Sequence, residues 1–268
     1  MVIYRQGTWR MRLTAFGVSM ILAKGVSGME RSEMGMKPSS QKLRTLPLIE
    51  PDVVDQAESN GYDPLPSVWF SEDAELIDRM LNFYPRKRPK RILDATVNGG
   101  RFWRGLDWKI IGMDINPAQN PTVVRDNTNM PFKDASFDVV VYDPPHIPNQ
   151  GKDRSKDFNT RFGLTLKSPK EEGYNFAFMY PPFAAEAYRV LCSEGILLCK
   201  IADYVHGHRY QWAHIDLIQA ARQVGFCPCD CIVKVRQGPI VDPRWQKAHH
   251  TRRQHCYWLV FRKSKKCE

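Results

Sequence analysis

The chain of 268 residues has no long apolar run. No stretch approaches the ~20 residues that a helix needs to span a bilayer, so we expect no membrane partner. Residues 13 to 23 form a short apolar stretch behind three arginines, and no acidic residue lies among the first 29. This pattern is typical of a secretory signal or an organellar transit peptide. A start at Met29, Met34 or Met36 is the alternative, and it would leave the stretch outside the protein.

The sequence also lacks the spacings of two common cofactor and metal sites. It contains no G-x-G-x-x-G, which disfavours a nicotinamide dinucleotide. Cys227, Cys229 and Cys231 alternate, without the two-residue spacer of structural zinc sites. Three histidines follow them before residue 256, so zinc is an alternative. Alternation also suits one face of a strand, and we therefore expect no metal.

The number of cysteines is odd, at seven, and most of them lie in apolar segments. Such cysteines are typical of reduced thiols in a core. We therefore expect a cytoplasmic protein with free thiols.

Acidic residues are too few to balance the basic ones. The chain has 39 lysines and arginines against 29 aspartates and glutamates, which gives a formal net charge of +10. This excess favours a polyanionic partner, with nucleic acid first and an anionic membrane surface second. A generally basic protein without such a partner is the alternative.

Two regions are expected from the patterning. Residues 1–63 show no sustained period and end in turn signals, so we predict a flexible N-terminal segment. Residues 64–268 are predicted to form the folded domain. Its first helix is predicted to have Ser71 as its N-cap, an acidic first turn and an apolar stripe, and to end at Pro85.

From residue 91 onward, apolar strands alternate with helices. This alternation predicts an α/β fold of the Rossmann-like, doubly wound type, with helices on both faces of a mostly parallel sheet. Because no helix separates the last two strands, the terminal strand is expected to be antiparallel. The seven predicted strands are residues 92–95, 109–113, 122–124, 137–142, 195–201, 232–235 and 256–262.

Polar and small residues follow the first three of these strands, where ligands bind in such sheets. The first strand leads into a turn with Asp94, Thr96, Asn98 and Gly100, and Asn98 can adopt the positive φ that a glycine would have there. This turn resembles the D-x-x-x-G-x-G motif of class I methyltransferases that use S-adenosylmethionine (SAM). The resemblance implies a SAM site that also includes the residues after the second and third strands, Asp114, Ile115, Asp126 and Asn127.

The fourth strand ends in Asp143-Pro144-Pro145-His146. This tetrapeptide resembles the D-P-P-Y motif of DNA N6-adenine and N4-cytosine amino-methyltransferases, with histidine in the place of the aromatic residue. The resemblance implies that these four residues are catalytic. Asp143 and the carbonyl of Pro144 can accept the two N–H groups of an exocyclic amine, and His146 offers a smaller face for stacking on the base.

No cysteine lies between residues 94 and 191. Methylation of cytosine C5 needs a cysteine nucleophile near this loop, so that chemistry is disfavoured.

Two basic segments are expected to contact the substrate. Residues 147–174 form a basic substrate loop that could grip phosphates and close over a flipped base, and a disordered insertion is the alternative. Residues 236–263 form a basic C-terminal hairpin that resembles the final hairpin of amino-methyltransferases acting on DNA. The predicted substrate-binding residues are Lys152, Arg154, Phe158, Arg161, Arg252 and Arg253.

The sequence thus predicts methyl transfer from SAM to an amino nitrogen of a base, with adenine N6 in DNA first and cytosine N4 as the variant. An RNA base methyltransferase is the first alternative. The second is a non-catalytic, basic nucleic-acid-binding protein with a degenerate SAM fold, because Asn98 and His146 depart from the family pattern.

Overall fold

The computed structural model describes residues 13–14, 17–18, 64–146, 176–206, 208–236, 250–251 and 253–264. The chain divides into two compact units, Met1–Glu58 and Ser59–Glu268. Within the first unit, β1 (Leu13–Thr14) pairs with β2 (Gly17–Val18) in an antiparallel hairpin. The predicted loop 147–174 and most of the predicted flexible segment 1–63 lie outside the described residues.

The second unit is built on one sheet of eight strands. Among the described residues, three α-helices accompany it, α1 (Asp73–Phe83), α2 (Tyr180–Val190) and α3 (Ala213–Gln223). Short 3-10 helices cover Asn98–Trp103, Pro117–Gln119 and Phe176–Met179. The strands are β3 (Val68–Trp69), β4 (Ile92–Asp94), β5 (Ile110–Asp114), β6 (Val123–Val124), β7 (Phe137–Tyr142), β8 (Leu191–Ile201), β9 (Tyr204–His206), β10 (Arg209–Gln211), β11 (Cys227–Val235) and β12 (His255–Arg262).

The strand order of the sheet is β3-β11-β12-β8-β7-β4-β5-β6, while β9 and β10 form a separate antiparallel pair. Neighbours are parallel except around β12, which runs antiparallel to both β8 and β11. The predicted doubly wound α/β fold and its antiparallel terminal strand are confirmed. The predicted count of seven strands is wrong, because the two-residue strand β3 adds to the edge of the sheet beside β11 and is too short to show a period.

Both faces of the sheet are buried, as an α/β fold requires. Leu93, Val140 and Leu197 belong to the core cluster that includes residues of α2 and α3. Their chain neighbours Ile92, Val139 and Leu198 belong to the cluster that includes residues of α1. Among the described residues, no helix has the length and apolar content to cross a membrane.

The start of α1 differs from the expectation. Glu72 occupies the N-cap position and makes no side-chain capping bond, so the assignment of Ser71 is wrong. The Ser71 hydroxyl instead donates to the carboxylate of Glu75. The helix ends at Phe83, before Pro85, as expected.

The connections of β4 define where on the sheet a ligand can bind. From β4 the chain moves outward through β5 to β6, and it then returns to the other side of β4 to form β7 and β8. The carboxyl ends of β4 and β7 are therefore neighbours at the point where the direction of winding reverses. In open α/β sheets this crevice is where ligands bind.

A buried ion pair joins α1 to the sheet beside that crevice. Lys200 of β8 is 7% exposed, and its Nζ lies 2.5 Å from Asp73 Oδ2 in the first turn of α1. The other oxygen of Asp73 accepts a hydrogen bond of 3.1 Å from the indole of Trp258 on β12. The pair thus connects α1, β8 and β12.

Removal of this carboxylate should destabilise the protein. We expect D73A to lower the free energy of unfolding by about 3–5 kcal/mol, because it removes the ion-pair partner of the buried Lys200 and the acceptor of the Trp258 indole N–H. Urea unfolding followed by circular dichroism measures the change. The matched control is E75A in the same helical turn, where an exposed carboxylate is lost at a cost of about 1 kcal/mol or less. Equal effects of the two variants would contradict the role given to the buried pair.

Candidate functional site

A buried carboxylate ends β4. Asp94 is 1% exposed, and its Oδ1 accepts a hydrogen bond of 3.0 Å from the backbone N–H of Thr96. Its Oδ2 accepts one of 2.7 Å from the indole N–H of Trp103. Burial raises the pKa of Asp94 to about 7, against the opposing effect of these two hydrogen bonds, and the charges of Asp143 and Asp114 raise it further. Asp94 therefore titrates near neutral pH.

The turn after Asp94 consists of residues in the left-handed region. Asn98, Gly99 and Gly100 have φ values of 35°, 74° and 67°. The prediction that Asn98 could adopt a positive φ is confirmed. No atom lies within 4 Å of the position that a Cβ on Gly100 would occupy. The backbone of Gly100 is thus open to the approach of a ligand.

Asp114, at the end of β5, holds the same turn from the other side. Its Oδ2 accepts a hydrogen bond of 3.0 Å from the N–H of Asn98, and its Oδ1 accepts one of 2.9 Å from the N–H of Asn116. Each oxygen retains a further lone pair, because a carboxylate has about four acceptor positions. The next residue, Ile115, is 41% exposed and offers an apolar surface beside the carboxylate.

The residues after β6 complete this side of the site. Asp126 is exposed, and its Oδ1 accepts hydrogen bonds of 2.8 Å from both the N–H and the hydroxyl of Thr128. The amide nitrogen of Asn127 lies 3.5 Å from the carbonyl of Ala95, which brings it to the turn after β4. Its Oδ1 is buried and has no hydrogen-bond partner among the described residues.

Asp143 follows β7 and is tied to the turn after β4. Its backbone N–H donates a hydrogen bond of 2.7 Å to the Thr96 hydroxyl. Its carboxylate forms an ion pair of 2.7 Å with Arg101. Burial would raise the pKa of Asp143, but His146, Lys200 and Arg101 together outweigh that effect and lower the pKa to about 2. Asp143 is therefore ionised at neutral pH.

His146 lies beside this carboxylate without a well-aligned hydrogen bond. Its Nε2 is 2.8 Å from Asp143 Oδ1, but both ring nitrogens lack a hydrogen-bond partner among the described residues. The contact is therefore an electrostatic one of short distance and poor direction. Pro144, between the two residues, is buried and holds the backbone with a fixed φ.

Sequence reasoning missed three residues that contact the predicted ones, namely Arg101, Trp103 and Lys200. Arg101 and Trp103 lie in the 3-10 helix Asn98–Trp103, which begins with the residues of the turn itself. Lys200 follows Cys199, the residue paired with Tyr142, so it lies across from Asp143 on the neighbouring strand. A lysine inside an otherwise apolar strand was the available signal, because such a lysine is rarely buried without a partner.

Most of the predicted substrate-binding residues lie outside the described part of the chain, namely Lys152, Arg154, Phe158, Arg161 and Arg252. Arg253 is described, and its guanidinium carbon lies 5.5 Å from the centre of the Tyr210 ring.

The three alternating cysteines belong to a strand. Cys227, Cys229 and Cys231 lie on β11. Among the described residues, no three histidine, cysteine, aspartate or glutamate side chains come together as a metal site. The expectation of free thiols holds for Cys192, Cys199, Cys229, Cys231 and Cys256, but Cys227 is disulfide-bonded.

The site therefore has two halves that share one turn. Asp94, Asp114 and Asp126 line an acidic half with an open glycine, which suits a ligand that carries hydroxyl groups and positive charge. Asp143 and His146 form the other half, with an ionised acceptor beside a planar ring.

No family model and no curated protein matches the chain. Among solved structures, it is similar to a candidate DNA modification methylase of Thermus thermophilus in complex with S-adenosyl-L-methionine, at 19% identity and a TM-score of 0.33 over 52% of this chain and 50% of the other. The chain thus spans about half the length of that protein.

Two further structures cover more of the chain. One is a SAM-dependent methyltransferase of Thermotoga maritima, at 17% identity and a TM-score of 0.39 over 71% of this chain and 87% of the other. The other is a candidate methyltransferase of Bacillus halodurans, at 14% identity and a TM-score of 0.45 over 70% and 99%. These values are too low to assign an activity, so any function rests on the residues of the chain itself.

The raised pKa of Asp94 predicts a pH-dependent stability. Between its ordinary value of 3.8 and its folded value of about 7, the folded state holds a proton that the unfolded state has released. Stability should therefore fall as pH rises through this window. We expect the unfolding free energy of the wild type minus that of D94N to fall by on the order of 4 kcal/mol between about pH 4 and pH 8.

Chemical denaturation at a series of pH values measures this difference. D138N is the matched control, since Asp138 is only partly buried and the N–H groups of Lys90 and Arg91 lower its pKa. The stability that the Asp138 carboxylate contributes is lost only as pH falls below the ordinary pKa of an aspartate. The unfolding free energy of the wild type minus that of D138N should therefore stay constant between about pH 4 and pH 8. If the difference between the wild type and D94N were also constant over this pH range, Asp94 would be ionised in the folded protein at every pH tested.

Proposed function

We propose that this chain transfers a methyl group from SAM to an exocyclic amino nitrogen of a nucleic-acid base. Adenine N6 in DNA is the first proposed target, and cytosine N4 is the close variant. The observation that carries the proposal is the ionised carboxylate of Asp143, which lies at the winding reversal of the sheet and bonds through its N–H to the acidic turn after β4.

The acidic half of the site fits SAM. Asp94, Thr96, Asn98 and Gly100 would hold it along the turn, and Gly100 leaves the space that close approach needs. The residues after β5 and β6 would hold its nucleoside, with the free lone pairs of Asp114 for hydroxyl groups, the exposed side chain of Ile115 for the base, and Asp126 and Asn127 for polar edges. When bound, SAM supplies a methyl group on a positively charged sulfur.

Asp143 would prepare the amine for attack. The lone pair of an exocyclic amine is delocalised into the ring, so the amine is a poor nucleophile. The Asp143 carboxylate accepts one N–H and the Pro144 carbonyl accepts the other, which favours a tetrahedral nitrogen with its lone pair directed at the methyl group. With a pKa lowered to about 2, Asp143 serves as a hydrogen-bond acceptor while the N–CH₃ bond forms and the S–CH₃ bond breaks. The methylated nitrogen is then positively charged and strongly acidic, so it releases one proton to water.

His146 would hold the base in place. Its two ring nitrogens are buried beside Asp143 and have no hydrogen-bond partner among the described residues, so they could bind the edge of a base once the site has opened to admit it. Its ring offers a π face, smaller than that of tyrosine, on which a base can stack. In duplex DNA the target would have to leave the stack to reach this position.

The polymer would be bound through its phosphates. A net charge of +10 favours a polyanion. We propose that Lys152, Arg154, Arg161, Arg252 and Arg253 contact the backbone and that Phe158 supplies an aromatic contact.

Asp143 provides the direct test. We expect D143A to reduce methyl transfer by about 100-fold or more, because it removes a preorganised acceptor at the reacting nitrogen. D143N keeps one acceptor oxygen and should lose less. Both variants should retain SAM binding, because Asp143 belongs to the substrate half. Transfer of radiolabelled methyl to DNA and RNA oligonucleotides, with analysis of the methylated nucleoside, measures activity, and calorimetry measures SAM affinity.

The matched control is D134A, which removes an aspartate whose side chain is 78% exposed, before the start of β7. It should leave both readouts unchanged. Label on a carbon atom would overturn the mechanism, and label on RNA alone would establish the RNA alternative. Nucleic-acid binding without SAM binding would instead favour the non-catalytic protein.

A further inference from the structure

A hairpin next to the catalytic edge is fixed by a buried carboxylate. β9 and β10 follow β8 after Asp203, whose side chain is 1% exposed. Its Oδ2 accepts a hydrogen bond of 3.0 Å from the Tyr210 hydroxyl. Its Oδ1 accepts one of 3.2 Å from the His214 backbone N–H and lies 2.7 Å from Nδ1 of the same histidine. Asp203 thus fixes both the end of the hairpin and the start of α3.

Between these two fixed residues lies an exposed indole. Trp212 precedes α3 and is 55% exposed, and its ring centre lies 4.6 Å from that of Tyr210 at an angle of 54°. The guanidinium of Arg253 lies over the Tyr210 ring, with its central carbon 5.5 Å from the ring centre. We call Tyr210, Trp212 and Arg253 the aromatic platform.

The platform lies at the same edge of the sheet as Asp143. The His214 ring stacks on Tyr257 of β12 at 4.3 Å, and Tyr257 pairs with Ile201, the last residue of β8. β8 is the direct neighbour of β7, which ends one residue before Asp143. β8 lies between β7 and β12, and neighbouring strands are about 4.8 Å apart, so a single strand of nucleic acid that runs along this end of the sheet can contact both Asp143 and the platform.

The chemistry of the platform suits a nucleobase. Trp212 is 55% exposed, and the Tyr210 ring that packs against it is held by the hydrogen bond to Asp203. Arg209 on the hairpin is exposed, and the guanidinium of Arg253 lies against the Tyr210 ring. The carboxylate of Asp203 is buried and accepts the Tyr210 hydroxyl. The surface therefore presents aromatic rings and positive charge, the combination that binds single-stranded nucleic acids.

We propose that the aromatic platform stacks an unpaired base that neighbours the target nucleotide. This inference rests on the proposed function, since it takes nucleic acid as the substrate. It adds a preference for substrates in which the target and its neighbour are both unpaired, because a paired neighbour has no free face. Such stacking tolerates different bases.

Binding of a fluorescently labelled, single-stranded oligonucleotide to the full chain tests the platform by anisotropy. We expect W212A to weaken binding about 5- to 150-fold, the range for loss of one stacked base. W212F retains a ring and should recover most of the affinity. The control is F83A, which removes an aromatic residue that is 47% exposed at the end of α1, near the opposite edge of the sheet.

An abasic scan identifies the stacked base. An abasic nucleotide next to the target should weaken binding to the wild type but should have little further effect on W212A. Equal binding by W212A and the wild type, or equal losses for W212A and F83A, would overturn the platform.

Calorimetry with SAM and the labelled-methyl assay separate this test from that of the proposed function. If W212A binds oligonucleotides like the wild type while the wild type binds SAM and methylates, only the platform fails. If W212A loses affinity while the wild type neither binds SAM nor transfers methyl, the platform stands and the proposed function fails.

Discussion

Buried charge at the carboxyl edge of the sheet is the constraint on which the site depends. Asp94 and Asp143 both lie in an environment of low polarity, where an unpaired charge costs several kcal/mol. Their hydrogen-bond and ion-pair partners nevertheless give the two carboxylates different pKa values. Asp94 receives only neutral N–H donors and titrates near neutrality, whereas cations surround Asp143 and keep it ionised. Two carboxylates on neighbouring strands thus have distinct protonation behaviour.

The two halves of the site are coupled through Thr96. Its backbone N–H contacts Asp94, while its hydroxyl accepts the N–H of Asp143. A shift of the turn after β4 would therefore also shift the backbone of Asp143. Lys200 adds a second link, because it faces Asp143 from β8 while its own partner, Asp73, belongs to α1. α1, the turn after β4 and the end of β7 are thus linked through side-chain contacts.

Much of this arrangement could be predicted from the sequence, because it depends on local patterns. The apolar strands and the polar residues after them placed Asp94, Asp114 and Asp143 at one edge. The remainder depends on tertiary contacts. Nothing local indicates that Arg101 reaches Asp143 or that Trp103 reaches Asp94. β3 and the pair β9 and β10 have two or three residues each, too few for a periodic signal. Ser71 resembled a cap, but its hydroxyl binds Glu75.

The position of β12 has a consequence for the order of folding. β12 is made after every other strand of the sheet, yet it lies between β8 and β11 and pairs with both. Until the ribosome has released residues 255–262, β11 and β3 have no hydrogen-bonded connection to the rest of the sheet. Trp258, which donates to Asp73, arrives with the same strand. The nascent chain must therefore hold an open sheet edge during synthesis, a state exposed to aggregation and suited to protection by chaperones.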